Sequence, residues 1–152
     1  MMELNLPSFN FTIKEENGKL YILDNIRKRF VKLTPEEEVR QRFVAMLISA
    51  KGYPAGRIGN EISLSLNGTK RRCDTLIFDN LGNPCAIIEY KAPDIIITQE
   101  VFNQITRYNY VFKVKYIIVS NGLQHFCCKI DYLNNSYTFL KDIPEYSTII
   151  NN

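Results

Sequence analysis

Residues 73–91 read Cys73-Asp74-Thr75-Leu76-Ile77-Phe78-Asp79-Asn80-Leu81-Gly82-Asn83-Pro84-Cys85-Ala86-Ile87-Ile88-Glu89-Tyr90-Lys91. Two apolar runs flank a segment dense in Asp, Asn, Gly and Pro, which is the composition of a turn between short strands. With the loop at Asn80 to Asn83 and Asp79 facing Pro84, the hairpin register carries Asp74 to a position opposite Glu89. Alternation along the second strand puts Glu89 and Lys91 on one face and Tyr90 on the other. Directly opposed side chains have Cβ atoms about 4.5–5.5 Å apart, and like charges there are destabilising. An acid pair at a strand end therefore asks for a cation. Mg²⁺ suits it, because that ion takes one or two carboxylates and fills its other positions with water and phosphate oxygens. Lys91 would then orient a water or stabilise developing charge. Spacing alone leaves a second reading open, a surface ion-pair cluster of Asp, Glu and Lys.

Moving outward, Ile58 to Leu66 alternates apolar residues and leads through Asn67-Gly68 into the Cys73 strand, giving an antiparallel meander of three strands. Before it, Thr34-Pro35-Glu36-Glu37 opens a helix, with Thr34 as N-cap, Pro35 in the first turn and Glu37 completing a capping box. Val39, Phe43, Met46, Leu47 and Ala50 form its expected buried stripe, and Gly52-Tyr53-Pro54 stops it. At the front, Asn10 to Lys14 and Leu20 to Leu23 flank Asn17-Gly18, predicting an N-terminal β-hairpin. After the meander, a second helix runs from Thr98 as N-cap to about Phe112, with Val101, Ile105, Tyr108 and Phe112 inward. Gln104 falls on that same side, where an amide needs a partner or a pocket. Lys115 to Val119, Leu123 to Ile130 and Ser136 to Leu140 are the last strands.

The chain has 152 residues, 45% of them hydrophobic and 23% charged, which is the size and composition of one globular domain. Its apolar runs are far shorter than the about 20 residues of a membrane span. The start carries no basic and apolar leader, so the cytoplasm is the expected compartment. Cys73, Cys85, Cys127 and Cys128 lack Cys-x-x-Cys spacing and read as reduced core thiols. His125 has no nucleophile beside it and reads as structural. Net charge is +3, yet residues 27–72 hold eleven Lys and Arg against four Glu, a local +7. Such asymmetry suits a polyanion, although a solvated charged face accounts for it equally well.

Glu37, Asp74, Glu89-Tyr90-Lys91 and Gln104, in that order around an α-β-β-β-α-β pattern, resemble the PD-(D/E)xK nuclease superfamily. The closer resemblance is to the N-terminal domain of type I restriction enzyme R subunits, in a small stand-alone form. It rests on residues 33–41, Arg72-Cys73-Asp74, Glu89-Tyr90-Lys91-Ala92-Pro93, residues 104–109 and Val119-Ser120-Asn121-Gly122. The resemblance implies an α/β restriction-endonuclease-like core with a central mixed sheet flanked by helices. The implied organisation is an N-terminal hairpin extension over residues 1–33, a nuclease domain over 34–145 and a tail over 146–152. Asp74 and Glu89 would hold Mg²⁺ or Mn²⁺, Lys91 would activate the water, and Gln104 would support the site. Glu37 would be the supplementary helix acid, with Glu36 as the alternative. Arg71, Arg72 and Arg107 are expected to contact nucleic acid, with double-stranded DNA the expected substrate. Cys73 departs from the family pattern, standing where it has proline. No Gly-x-x-x-x-Gly-Lys-Ser/Thr loop is present, so ATP is not expected. Three functions follow: a metal-dependent DNA endonuclease, working alone, as a homodimer or with a specificity partner; a non-cleaving nucleic-acid-binding or assembly module that keeps the nuclease fold; or a plain α/β domain.

Overall fold

In the computed structural model, which describes residues 2–151 apart from the side chains of Tyr108 and Val111, two sheets form. The smaller consists of β1 (Ile13–Glu16), β2 (Lys19–Asp24) and β3 (Arg29–Lys32), paired antiparallel in chain order. Asn17 and Gly18 take positive φ at the first turn, as the Asn-Gly signal requires. The third strand was not expected. It is only four residues long, carries two cations and follows Lys28 at φ 57°, so neither periodicity nor a turn dipeptide announces it.

The larger sheet runs β4 (Ile58–Leu66), β5 (Thr69–Phe78), β6 (Pro84–Tyr90), β7 (Tyr116–Ser120), β8 (His125–Asp131), β9 (Ser136–Leu140), in that spatial order. All neighbours are antiparallel except β6 and β7, which are parallel because α2 (Gln99–Asn109) crosses over between them. The mixed central sheet is therefore as expected. The β5–β6 register pairs Thr75 with Ile88 and Ile77 with Ala86, also as expected. A bulge at Ile77/Phe78 shifts the tip, so that Phe78, not Asp79, meets Pro84.

Helix α1 (Pro35–Ala50) packs on one face of the large sheet and α2 on the other, which divides the core in two. Val39, Phe43 and Leu47 join Ile77, Ile88, Tyr90 and Ile118 on the α1 side. Phe102 and Ile105 join Cys73, Leu76, Ile87 and Ile117 on the α2 side. The α2 stripe is turned from the expected one: Phe102, Ile105 and Asn109 are its buried positions, Val101 and Phe112 are half-buried, and Tyr108 lies outside the described residues. Ala50 is exposed, whereas Glu37, Glu38, Arg40, Gln41 and Arg42 are buried beside the predicted stripe. A second cover explains this. The N-terminal arm lies along α1, with Arg42 donating to the carbonyls of Met2 and Leu6 at 2.7 and 2.8 Å.

Residues Tyr146–Ile150 make a short helix, α3, that places Tyr146 and Ile149 in the α1-side core. The four cysteines are free and buried, and burial pushes each thiol up to about 12. His125 is held between Ser120 Oγ and the Asn5 carbonyl, a structural position. Among the described residues, no helix is long and apolar enough to cross a membrane.

Candidate active site

The ladder between β5 and β6 ends at Thr75 and Ile88, and a side chain makes the next link. Asp74 Oδ2 accepts the Tyr90 backbone N–H at 2.9 Å, which sets the Asp74 carboxyl beside that of Glu89. On the other edge of β5 the ladder skips as well, from Asn60/Thr75 to Ile62/Cys73, with Glu61 lifted out at φ 58°. Asp74 thus sits on an irregular segment at the carboxyl end of β6. Lys91 follows at once, its N–H donating to the Ser120 carbonyl at the matching end of β7. Crevices outside the carboxyl ends of parallel strands are the usual ligand sites of α/β sheets.

Glu89 is 6% exposed. Burial, and then the neighbouring charge and hydrogen bond of Asp74, push its carboxyl up to about 9, while Arg71 and Lys91 oppose the shift. Two carboxyls held this close repel one another when both are charged, so the pair draws positive charge. Arg71 supplies part of it: Nη2 lies 2.5 Å from Glu89 Oε1, and Nε donates to Asn109 Oδ1 at 3.3 Å. In the structure it is Arg71 that makes the ion pair with Glu89.

The two glutamates at the start of α1 part company. Thr34 Oγ1 accepts the Glu37 N–H at 3.0 Å, so Thr34 caps the helix as expected. The Glu37 carboxylate does not complete the capping box. It turns inward to Arg27 at 2.8 Å, to Arg40 at 3.0 Å and to Gln41 at 3.0 Å. Glu36 is exposed, and its carboxyl is raised by desolvation and then by the charge of Asp74, with Lys91 and Arg40 opposing the shift. Gln104 is exposed on α2, and among the described residues no hydrogen bond joins it to Asp74, Glu89 or Lys91.

Sequence reasoning missed what lies behind the acids. Arg40 contacts both oxygens of Glu37, Glu61 Oε1 at 2.8 Å and the Asp74 carbonyl at 2.6 Å, and lies 5.8 Å from the Tyr90 ring centroid. Burial disfavours its charge, but Glu37 and Glu61 outweigh that and hold it firmly protonated. Tyr90 OH donates to Thr75 Oγ1, Thr75 to Asn60 Oδ1, and Asn60 Nδ2 to Asp24 Oδ2 at 3.1 Å, a buried polar chain tying the small sheet to the large one. Burial raises the Asp24 carboxyl, but bonds from Arg27, Asn60 and two backbone N–H groups bring it below the usual range. The basic segment is therefore partly internal: Arg27, Arg40 and Arg42 are engaged inside the molecule. Arg72 is exposed beside Glu61, and Arg107 is exposed near Leu66, Tyr110 and Lys113.

Residues 35–144 match the family described as type I restriction enzyme R protein N terminus. The chain belongs to this family. All of α1 and the strands that carry Asp74, Glu89 and Lys91 fall within the family match. A similar solved structure is a fragment assigned to an HsdR subunit of a type I restriction enzyme from Vibrio vulnificus YJ016. It has 18% identity and a TM-score of 0.56, covering 78% of this chain and 25% of that one, a likeness of fold. The chain thus spans about a quarter of that HsdR structure. A cryoEM structure of a DrdV–DNA complex aligns at 15% identity and a TM-score of 0.45 over 78% of this chain and 12% of that one. No curated protein matches the chain.

Proposed function

We propose that this R-subunit N-terminal-type domain is a restriction-endonuclease-like, PD-(D/E)xK nuclease that hydrolyses phosphodiester bonds in double-stranded DNA with Mg²⁺ or Mn²⁺. The observation that carries the reading is the pairing of buried Glu89 with half-buried Asp74 at a strand end, with Lys91 two residues beyond. Its donors are hard oxygens, which fits a small divalent ion. Among the described residues no group of three or more His, Cys, Asp and Glu assembles. Asp74 and Glu89 would hold the ion, which when bound polarises water and offsets phosphate charge.

Lys91 is the water-positioning group in this reading. The Tyr90 N–H fixes Asp74 Oδ2, and Arg40 fixes the Asp74 carbonyl, so the acid is oriented before substrate arrives. Glu36, rather than Glu37, is the helix acid turned toward the site. Gln104 and Arg107, exposed on α2, and Arg72 are left for the substrate. Cleavage proceeds without ATP in the cytoplasm, and a second copy or a specificity partner supplies target choice.

One observation favours the alternative of a non-cleaving nucleic-acid-binding or assembly module: Arg71 already neutralises Glu89. Incubation with supercoiled plasmid in Mg²⁺, Mn²⁺ or EDTA decides between them. Nicking that needs metal and disappears in Lys91→Ala supports the nuclease. Activity undiminished in EDTA, or intact in Lys91→Ala, overturns it.

A further inference from the structure

We infer that Arg71 is an exchangeable counter-ion: its guanidinium must leave Glu89 for a divalent cation to enter, and once released it pairs with a phosphate of the duplex, so that metal and DNA favour each other's binding. This rests on the metal-site reading above.

Position is the first argument. Arg71 Nη2 sits 2.5 Å from Glu89 Oε1, on an oxygen that an incoming ion would need. A positive charge there also repels an incoming divalent ion.

The second argument is how Arg71 is held, compared with the other arginines of the site. Arg40 reaches two carboxylates and a backbone carbonyl and its side chain is 9% exposed, so it is fixed. The Arg71 side chain is 20% exposed and lies opposite Leu64, beyond Thr75, where the β5–β6 ladder stops. From Cys73 outward β5 pairs with β4 alone, in a two-stranded ribbon closed by the Asn67-Gly68 turn. Arg71 is thus carried by that ribbon, outside the part of β5 that pairs with β6.

Asn109, fully buried at the end of α2, accepts from Arg71 at Oδ1, and among the described residues its Nδ2 has no hydrogen-bond partner, so the docked network is incompletely satisfied. A guanidinium freed beside the acids matches a phosphate in geometry and charge, through paired N–H donors. Because metal and phosphate would both draw on the released state, their coupling is reciprocal.

The test is calorimetric titration of the full chain with CaCl₂, alone and with a short DNA duplex, for wild type, Arg71→Met, Arg71→Lys and Asp74→Asn. Arg71→Met should bind Ca²⁺ about tenfold more tightly than wild type without DNA, because a repelling charge is gone. In wild type the duplex should tighten Ca²⁺ binding by about fivefold or more, and in Arg71→Met that gain should vanish. Arg71→Lys keeps the charge without the fork and should fall between, which keeps the inference testable if Arg71→Met does not fold. Ca²⁺ affinity unchanged or weaker in the folded Arg71 variants overturns the inference and leaves the metal site standing. Ca²⁺ binding absent from every protein, or identical in wild type and Asp74→Asn, overturns the metal reading and this inference with it.

Discussion

Arg40 donates from Nη1 to the main-chain carbonyl of Asp74 at 2.6 Å, joining the first helix to the strand residue that carries an acid of the site, 34 residues away. The same guanidinium spans Glu37 and Glu61, so one side chain fixes the helix, the lifted residue of β4 and the irregular turn of β5. Its removal leaves Glu37 buried with only part of its compensation. Arg40→Ala should therefore destabilise the domain by about 3 kcal/mol. Urea unfolding checks it, and a loss below about 1 kcal/mol would show that Arg40 is not a structural hub.

The two neighbouring glutamates should separate by phenotype. Glu37→Gln weakens a buried carboxylate engaged by two arginines and should lower stability by about 2 kcal/mol. Glu36→Gln, at the exposed edge facing Asp74 and Lys91, should leave the melting temperature within a degree or two while reducing metal-dependent cleavage. Melts and plasmid nicking of both variants distinguish them, and the reverse pattern would restore Glu37 as the helix acid.

Glu89 makes stability depend on pH with a definite sign. Its folded value is raised to about 9 from an ordinary 4.5, so between those values the native state holds a proton that the unfolded chain has released. Stability from this group is thus fully present below pH 4.5 and falls as pH rises toward 9, with a slope of up to about 1.4 kcal/mol per pH unit. Asp74→Asn removes the neighbouring charge and should flatten that slope. Mg²⁺ should raise the wild-type melting temperature more at pH 8.5 than at pH 6, since the ion competes with the proton. Melts that show no Mg²⁺ response at either pH would mean an ion-pair cluster and no metal site.

Gly122, in the turn after β7, has φ 86°, and a Cβ there would come within 2.9 Å of Leu4 and 3.0 Å of Val39. Its carbonyl also accepts the Asn5 N–H at 2.8 Å, so it anchors the N-terminal arm. Gly122→Ala should cost about 1–2 kcal/mol, from left-handed backbone strain and displacement of Leu4. Thermal denaturation measures it. A neutral effect would mean that the arm yields freely.

Much of this was legible because it is local. The Thr34 cap depends on a residue three positions on, and the Asn17-Gly18 and Asn67-Gly68 turns on adjacent pairs. The juxtaposition of Asp74 and Glu89 follows from one short hairpin, whose register is set by its loop and by the requirement that apolar residues face inward. What the tertiary structure alone decided is which charges meet across long separations. Glu37 could close a capping box with Thr34, but it turns to Arg40 one turn along α1 and to Arg27, which meets it only after the small sheet docks on α1. Arg71 gave no sign of reaching Glu89, because strict alternation fails at Asp74. Cys73 lies in the α2-side core, while Thr75, two residues on, bonds to Tyr90 on the α1 side. A strand that breaks step there re-aims every side chain beyond the break, and no periodicity in the sequence records a single irregular residue.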